Sequence, residues 1–152
     1  MSSVMKYINR IARCYALFRN GKLKIKGLNV YQHSYILKIC QNPGVSQDQL
    51  SRLLYIHKSN VTRQLALLEQ NGYIKRIQND KDRRILQVYP TEKAYEAYPK
   101  IKSASAEWGE LLLSDFSEQD IDFLFGMLEK MTEKAVQIAE KEIEKDQGSC
   151  EK

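Results

Sequence analysis

The sequence is short of the residues that usually announce chemistry. It has three cysteines, Cys14, Cys40 and Cys150, which are far apart and odd in number. That is no disulfide framework, and without a Cys-x-x-Cys pair it does not read as a zinc module. The two histidines, His33 and His57, complete no metal-ligand pattern with them. No metal and no resident cofactor is therefore expected. There is no phosphate-binding glycine loop, no nucleophile with a base at a usable spacing and no recognisable pair of acids, so no enzyme is expected. No apolar run approaches the roughly 18 residues of a membrane span, and the apolar core and cleavage site of a signal peptide are missing at the N-terminus. The expectation is a cytoplasmic protein with no membrane partner.

What is present is charge, unevenly placed. The chain has 152 residues, 43% hydrophobic and 28% charged, enough for one domain with a real core. Residues 1–109 hold 19 Lys+Arg against 7 Asp+Glu, whereas residues 110–152 hold 5 against 12. The first part is basic enough to face a polyanion and the second is not.

Helical periodicity recurs along the chain. Val4, Tyr7, Ile8, Ile11, Tyr15 and Phe18 predict a helix over residues 4–19, stopped by Asn20-Gly21. A second helix is expected over 30–41, before the Asn42-Pro43-Gly44 break. Ser46-Gln47-Asp48-Gln49 reads as a capping box opening a short helix with Leu50, Leu53 and Leu54 on its apolar side. After the tight Tyr55-Ile56-His57 connection, a longer helix runs from Lys58 to Gln70, ended by a left-handed cap at Asn71-Gly72. Residues 73–77 and 85–89 then read as a β-hairpin with a charged tip. Pro90 ends the sheet, and Thr91 is expected to cap a helix that reaches Leu113, kinked or broken at Pro99. Ser117-x-x-Asp120 caps the last helix, and the terminal KDQGSCEK is expected to fray.

A short helix, a tight turn, a longer helix with a polar outer face and an immediate hairpin make a winged helix-turn-helix. The fold class is thus mainly α with a small β-hairpin wing, flanked by N- and C-terminal helices. Leu50, Leu53, Val61, Leu65 and Leu68 are expected to pack the motif against the second helix. In such a fold the recognition helix, residues 57–71, presents its N-terminal residues to base edges. Asn60 can pair with adenine and Arg63 with guanine; Ser59, Thr62 and Gln64 also lie in this polar set, and Lys58 suits a phosphate. The wing, residues 78–85, offers Lys81, Asp82, Arg83 and Arg84. An arginine at a wing tip can enter the minor groove, and Asp82, two residues from Arg84, can hold it in one orientation. Residues 57–84 hold seven Lys+Arg and three Asp+Glu, so the basic residues gather on these two elements.

The stretch VSQDQLSRLLYIHKSNVTRQLALLEQNGYIKRIQNDKDRRILQVYPTEKA resembles the MarR family of bacterial winged-helix regulators. The matching pieces are S-x-x-x-L-S-x-L-L, S-N-V-T-R, L-L-E-Q-N-G-Y-I-K-R and the D-R-R of the wing, within about residues 36–95. The last helix joins more loosely through L-S-D-F-S-E-Q-D-I. Where the family has Leu-Thr and a nearby Gly after the wing, this chain has Tyr89-Pro90-Thr91 and then Ala94. The resemblance implies one MarR-like domain over 1–152, with a DNA-binding core at 29–90 and dimerisation helices at 1–20 and 91–145. It implies a homodimer that binds double-stranded DNA at an inverted repeat, with Asp82 and Arg84 making the supported minor-groove contact. It also implies a repressor released by a small aromatic or phenolic effector. Two alternatives stay open: a winged-helix module that binds protein, and a regulator that senses oxidation through Cys14. Trp108, Leu111 to Leu113 and Phe116 belong either to the dimer surface or to the core of one chain.

Overall fold

The computed structural model describes residues 3–148. In chain order the elements are α1 (Val4–Lys22), α2 (His33–Gln41), β1 (Val45–Ser46), α3 (Gln47–Leu54), α4 (Lys58–Gln70), β2 (Ile74–Gln78), β3 (Leu86–Pro90), α5 (Glu92–Leu113) and α6 (Glu118–Gly148). The expected class is borne out: a mainly helical chain with a small antiparallel sheet of order β1-β3-β2. The chain divides into two compact units between Gly109 and Glu110. Among the described residues no helix is long and apolar enough to cross a membrane.

The first unit has one core. Tyr35, Ile36 and Ile39 of α2 pack with Leu50 of α3, Val61, Leu65 and Leu68 of α4, Ile74 and Val88 of the hairpin, and Ala94, Ala97 and Ile101 of α5. Burying a leucine or isoleucine side chain stabilises by about 1.5–3 kcal/mol, so this cluster holds α3, α4 and the hairpin as one body. Leu53 does not join it and is 43% exposed; Leu54, one residue on, packs there instead. Tyr15 and Phe18 of α1 lie against Trp108 of α5, with ring centroids 5.6 and 5.3 Å apart. Trp108 is therefore an intrachain contact, while Leu111, Leu112 and Phe116 stay exposed.

Several boundaries move for physical reasons. Helix α1 runs past Asn20-Gly21 to Lys22, whose ammonium is hydrogen-bonded to Glu107 of α5. Helix α2 starts at His33 rather than 30, because the Asn29 side chain accepts the amides of Tyr31 and Gln32 and holds a turn there. Strand β1 was not expected. Its two residues are strand only because Val45 and Ser46 pair with Val88 and Gln87. Gly44, at φ 85°, donates its amide to the Val88 carbonyl, a conformation that favours glycine. The hairpin strands lie one residue later than expected, with Ile74 opposite Pro90 and Gln78 opposite Leu86. Helix α5 continues through Pro99 without a break. The Thr91 hydroxyl donates to the carbonyls of Gly72 and Tyr73, and its carbonyl takes the amides of Ala94 and Tyr95.

The second unit carries α6. Ser117 receives the amide of Asp120 at 3.2 Å and donates to its carboxylate, as its spacing predicts. Phe123, Phe125, Met127, Leu128 and Ile138 are exposed along this helix. Residues 149–152 of the expected frayed end, Cys150 included, lie outside the described residues.

Candidate nucleic-acid interface

Two local devices aim the recognition helix. The Ser46 hydroxyl accepts the Gln49 amide at 3.1 Å while the Gln49 side chain accepts the Ser46 amide at 3.0 Å, so the capping box closes and starts α3. Tyr55 then turns the chain in the left-handed region, φ 52° and ψ 42°, and Ser51 fastens the turn by donating to the Ile56 carbonyl. A tyrosine there is held against the preference of its own Cβ.

On α4 the six candidates are not equally free. The Lys58 ammonium is 3.1 Å from the Asp48 carboxylate at the start of α3. Ser59 Oγ lies 3.1 Å from Nδ1 of His57. Thr62 donates to the Lys58 carbonyl and accepts from the Gln47 amide group. Arg63 donates to Asn60 Oδ1 at 2.8 Å, joining the two side chains best suited to base edges. Gln64 differs from the rest. Its Oε1 accepts from Gln32 Nε2 at 3.1 Å, and Gln32 is 2% exposed with its own Oε1 taking the Asn29 amide. A glutamine tied to a buried partner has part of its hydrogen-bonding capacity committed to the fold.

The wing tip is built by side chains that accept backbone amides. Asn79 Oδ1 takes the amides of Lys81 and Asp82 at 2.8 and 3.1 Å. Asp82 Oδ1 takes the amide of Arg84 at 3.0 Å and lies 3.7 Å from Arg84 Nε. The guanidinium itself projects outward, its side chain 94% exposed. Lys81 and Arg83 are exposed beside it. Sequence reasoning paired Asp82 with Arg84 but passed over Asn79; an asparagine just before a charged tip was the available signal.

At the base of the wing, Glu69 of α4 receives three hydrogen bonds from Arg76 of β2. Those bonds outweigh desolvation and hold the Glu69 carboxyl below the usual carboxylate range. Neither residue was singled out from the sequence.

A cleft of about 400 Å³ lies beside α4, lined by Arg19 of α1, Tyr31 and Tyr35 around α2, and Asn60, Arg63 and Gln64. A larger cleft of about 530 Å³, beside Asn42–Val45 and α3, includes Arg52 but touches no recognition-helix residue. Cys14 is exposed on α1, and Tyr31 and Tyr35 belong to the smaller cleft. Among the described residues no group of three or more His, Cys, Asp or Glu is placed to hold a metal ion.

The sequence model of the MarR family matches residues 28–86, from the turn before α2 to the start of β3. A MarR transcriptional regulator from Methanosarcina mazei is 30% identical, with a TM-score of 0.82 over 89% of this chain and 97% of that one. The chain belongs to the MarR family. It is thus a transcriptional regulator built on the MarR winged helix, not an enzyme. A MarR family regulator from Listeria monocytogenes, solved in complex with 26mer DNA, is 29% identical, with a TM-score of 0.83 over 91% of this chain and 93% of that one. The transcriptional repressor MprA of Escherichia coli is 35% identical over 80 residues, 51% of this chain and 46% of MprA.

Proposed function

We propose that this MarR protein is a cytoplasmic, homodimeric repressor that binds an inverted-repeat operator and occludes a promoter. The wing carries the reading: Arg84 projects into solvent from a turn whose amides are anchored on Asn79 and Asp82. The backbone that carries it is pre-organised, which limits the ordering cost of reaching the narrow minor groove. Ser59, Asn60, Thr62 and Arg63 meet the major groove, and Lys58, Lys81 and Arg83 meet phosphates. Gln64 contributes through its hold on Gln32. The DNA-bound Listeria relative supports this reading, and MprA supports repression.

The winged core spans 29–90, and the dimer forms through helices in 1–20 and 91–145. The exposed apolar side chains of α1 and α6, among them Met5, Ile8, Ile11, Phe123, Phe125 and Leu128, suit such an interface. One recognition helix reads a half-site, so the operator repeats it about a two-fold axis. The effector is a small aromatic or phenolic molecule seated in the cleft of about 400 Å³, stacked near Tyr31 and Tyr35. There it keeps Asn60 and Arg63 from base edges and releases the DNA.

Selection of duplexes from a random-sequence pool tests the reading. Enrichment of one inverted repeat with half-sites about one helical turn apart is expected. A pool that stays random, with salt-insensitive weak capture, contradicts it and favours a protein-binding module.

A further inference from the structure

Arg76 stands where the hairpin calls for an apolar side chain. Along β2, Ile74, Arg76 and Gln78 share a face. Ile74 is 2% exposed, and Val88, directly across from Arg76, is fully buried. The charge is accommodated there by Glu69, one residue before the end of α4. Glu69 Oε1 accepts the Arg76 amide at 3.0 Å, and Oε2 accepts Nε and Nη2 at 2.9 and 2.6 Å. One carboxylate thus grips both the strand's backbone and its side chain.

For stability alone an ion pair is not required here. The Arg76 bonds outweigh the desolvation of Glu69, yet apolar groups of similar volume can stabilise such a site as well or better. What the pair supplies is direction, because charge-assisted hydrogen bonds have fixed geometry and apolar contact does not. The neighbouring residue sharpens the point. Ile77 faces outward and is 52% exposed. A slip of β2 by one residue would turn Ile77 inward and Arg76 outward, and would also expel Ile74 and bring Lys75 inward, so the core resists it as well. The Glu69 carboxylate penalises that slip further by losing its partner.

We propose that Glu69 and Arg76 are positioning residues that fix the register and aim of the wing relative to the recognition helix. Arg84 is then delivered to the minor groove while α4 occupies the major groove. The proposal rests on the DNA-binding reading for its consequence, but the geometric claim stands on the free protein.

The test has two arms on the full chain. In the first, amide hydrogen exchange is followed in wild type and Glu69→Gln without DNA. Hairpin amides in 74–78 and 86–90 should exchange about tenfold faster in the variant, the factor one net hydrogen bond carries, with α2 amides unchanged. In the second, binding to the selected duplex is compared for wild type, Glu69→Gln, Arg84→Ala, Glu69→Gln/Arg84→Ala and Glu69→Leu/Arg76→Met. Glu69→Gln should weaken binding about tenfold in the wild-type background and not at all beside Arg84→Ala. The apolar pair should melt at or above the wild-type temperature yet bind as weakly as Glu69→Gln. Unchanged hairpin exchange, an equal loss in both backgrounds, or wild-type affinity in the apolar pair would overturn the proposal. If Arg84→Ala binds like wild type, the wing reading fails, and the exchange arm alone judges the clamp.

Discussion

His33 should make the protein acid-sensitive in a defined window. It opens α2, is 1% exposed, and neither ring nitrogen has a hydrogen-bond partner among the described residues. Burial, and then the nearby Arg19 guanidinium, lower its pKa from 6.5 to about 4. The unfolded chain therefore takes up a proton that the folded chain refuses. The stability from this group is complete above the unfolded value and is lost as pH falls from about 6.5 towards about 4. Between pH 8 and pH 5 these two values give a loss of about 2 kcal/mol. With a urea dependence of about 1–3 kcal/mol per molar, the unfolding midpoint should drop by about 1 M. Carboxylates titrate in the same range, so the measurement is a comparison. Urea unfolding of wild type and His33→Leu is followed by circular dichroism at pH 8 and pH 5. The wild-type midpoint should fall about 1 M further than that of the variant. Equal shifts would refute the claim that His33 is buried neutral.

Four further outcomes are expected. Ser46→Ala opens the capping box and should lower stability by about 1 kcal/mol in the same unfolding assay; an unchanged midpoint would contradict its role in starting α3. Tyr55→Gly relieves the left-handed turn and should raise stability by about 1 kcal/mol, whereas a loss would mean that the tyrosine ring contributes more than its backbone costs. Burial raises the Cys40 thiol to about 11, so its reaction with a disulfide reagent at pH 7.5 should be on the order of 10²-fold slower in the native protein than in urea. Comparable rates in the two states would show that the thiolate is accessible. Asp82→Asn keeps an acceptor for the Arg84 amide but removes the charge, so it should weaken DNA binding less than Asp82→Ala; the reverse order would contradict the amide anchor.

Legibility followed the range of the forces involved. The capping box and the span of α4 came straight from local spacing, because their hydrogen bonds close within four residues. Asn20-Gly21 is a sound local stop, yet α1 passes it because Lys22 meets Glu107 across the fold. Strand β1 has no local signal at all; two residues become strand through partners more than forty positions away. The polar face of α4 was readable as a set, but not its division of labour. Asn60 and Arg63 are bound to each other, while Gln64 is claimed by a buried glutamine from the start of α2. The Glu69–Arg76 pair spans a turn, so helix periodicity on one side and strand alternation on the other each left it looking like surface charge.

The most direct test of the DNA-binding account is fluorescence anisotropy across a salt series. It uses the DNA upstream of the protein's own gene and a scrambled duplex, with wild type and Arg84→Ala. The account predicts tight, sequence-dependent binding whose affinity falls steeply with salt, by about 0.9 in log K per log salt for each phosphate neutralised, and a clear loss in Arg84→Ala. A selected inverted repeat replaces the upstream DNA if that region holds no operator. No binding to either duplex at low salt, or binding that neither salt nor Arg84→Ala alters, would contradict it.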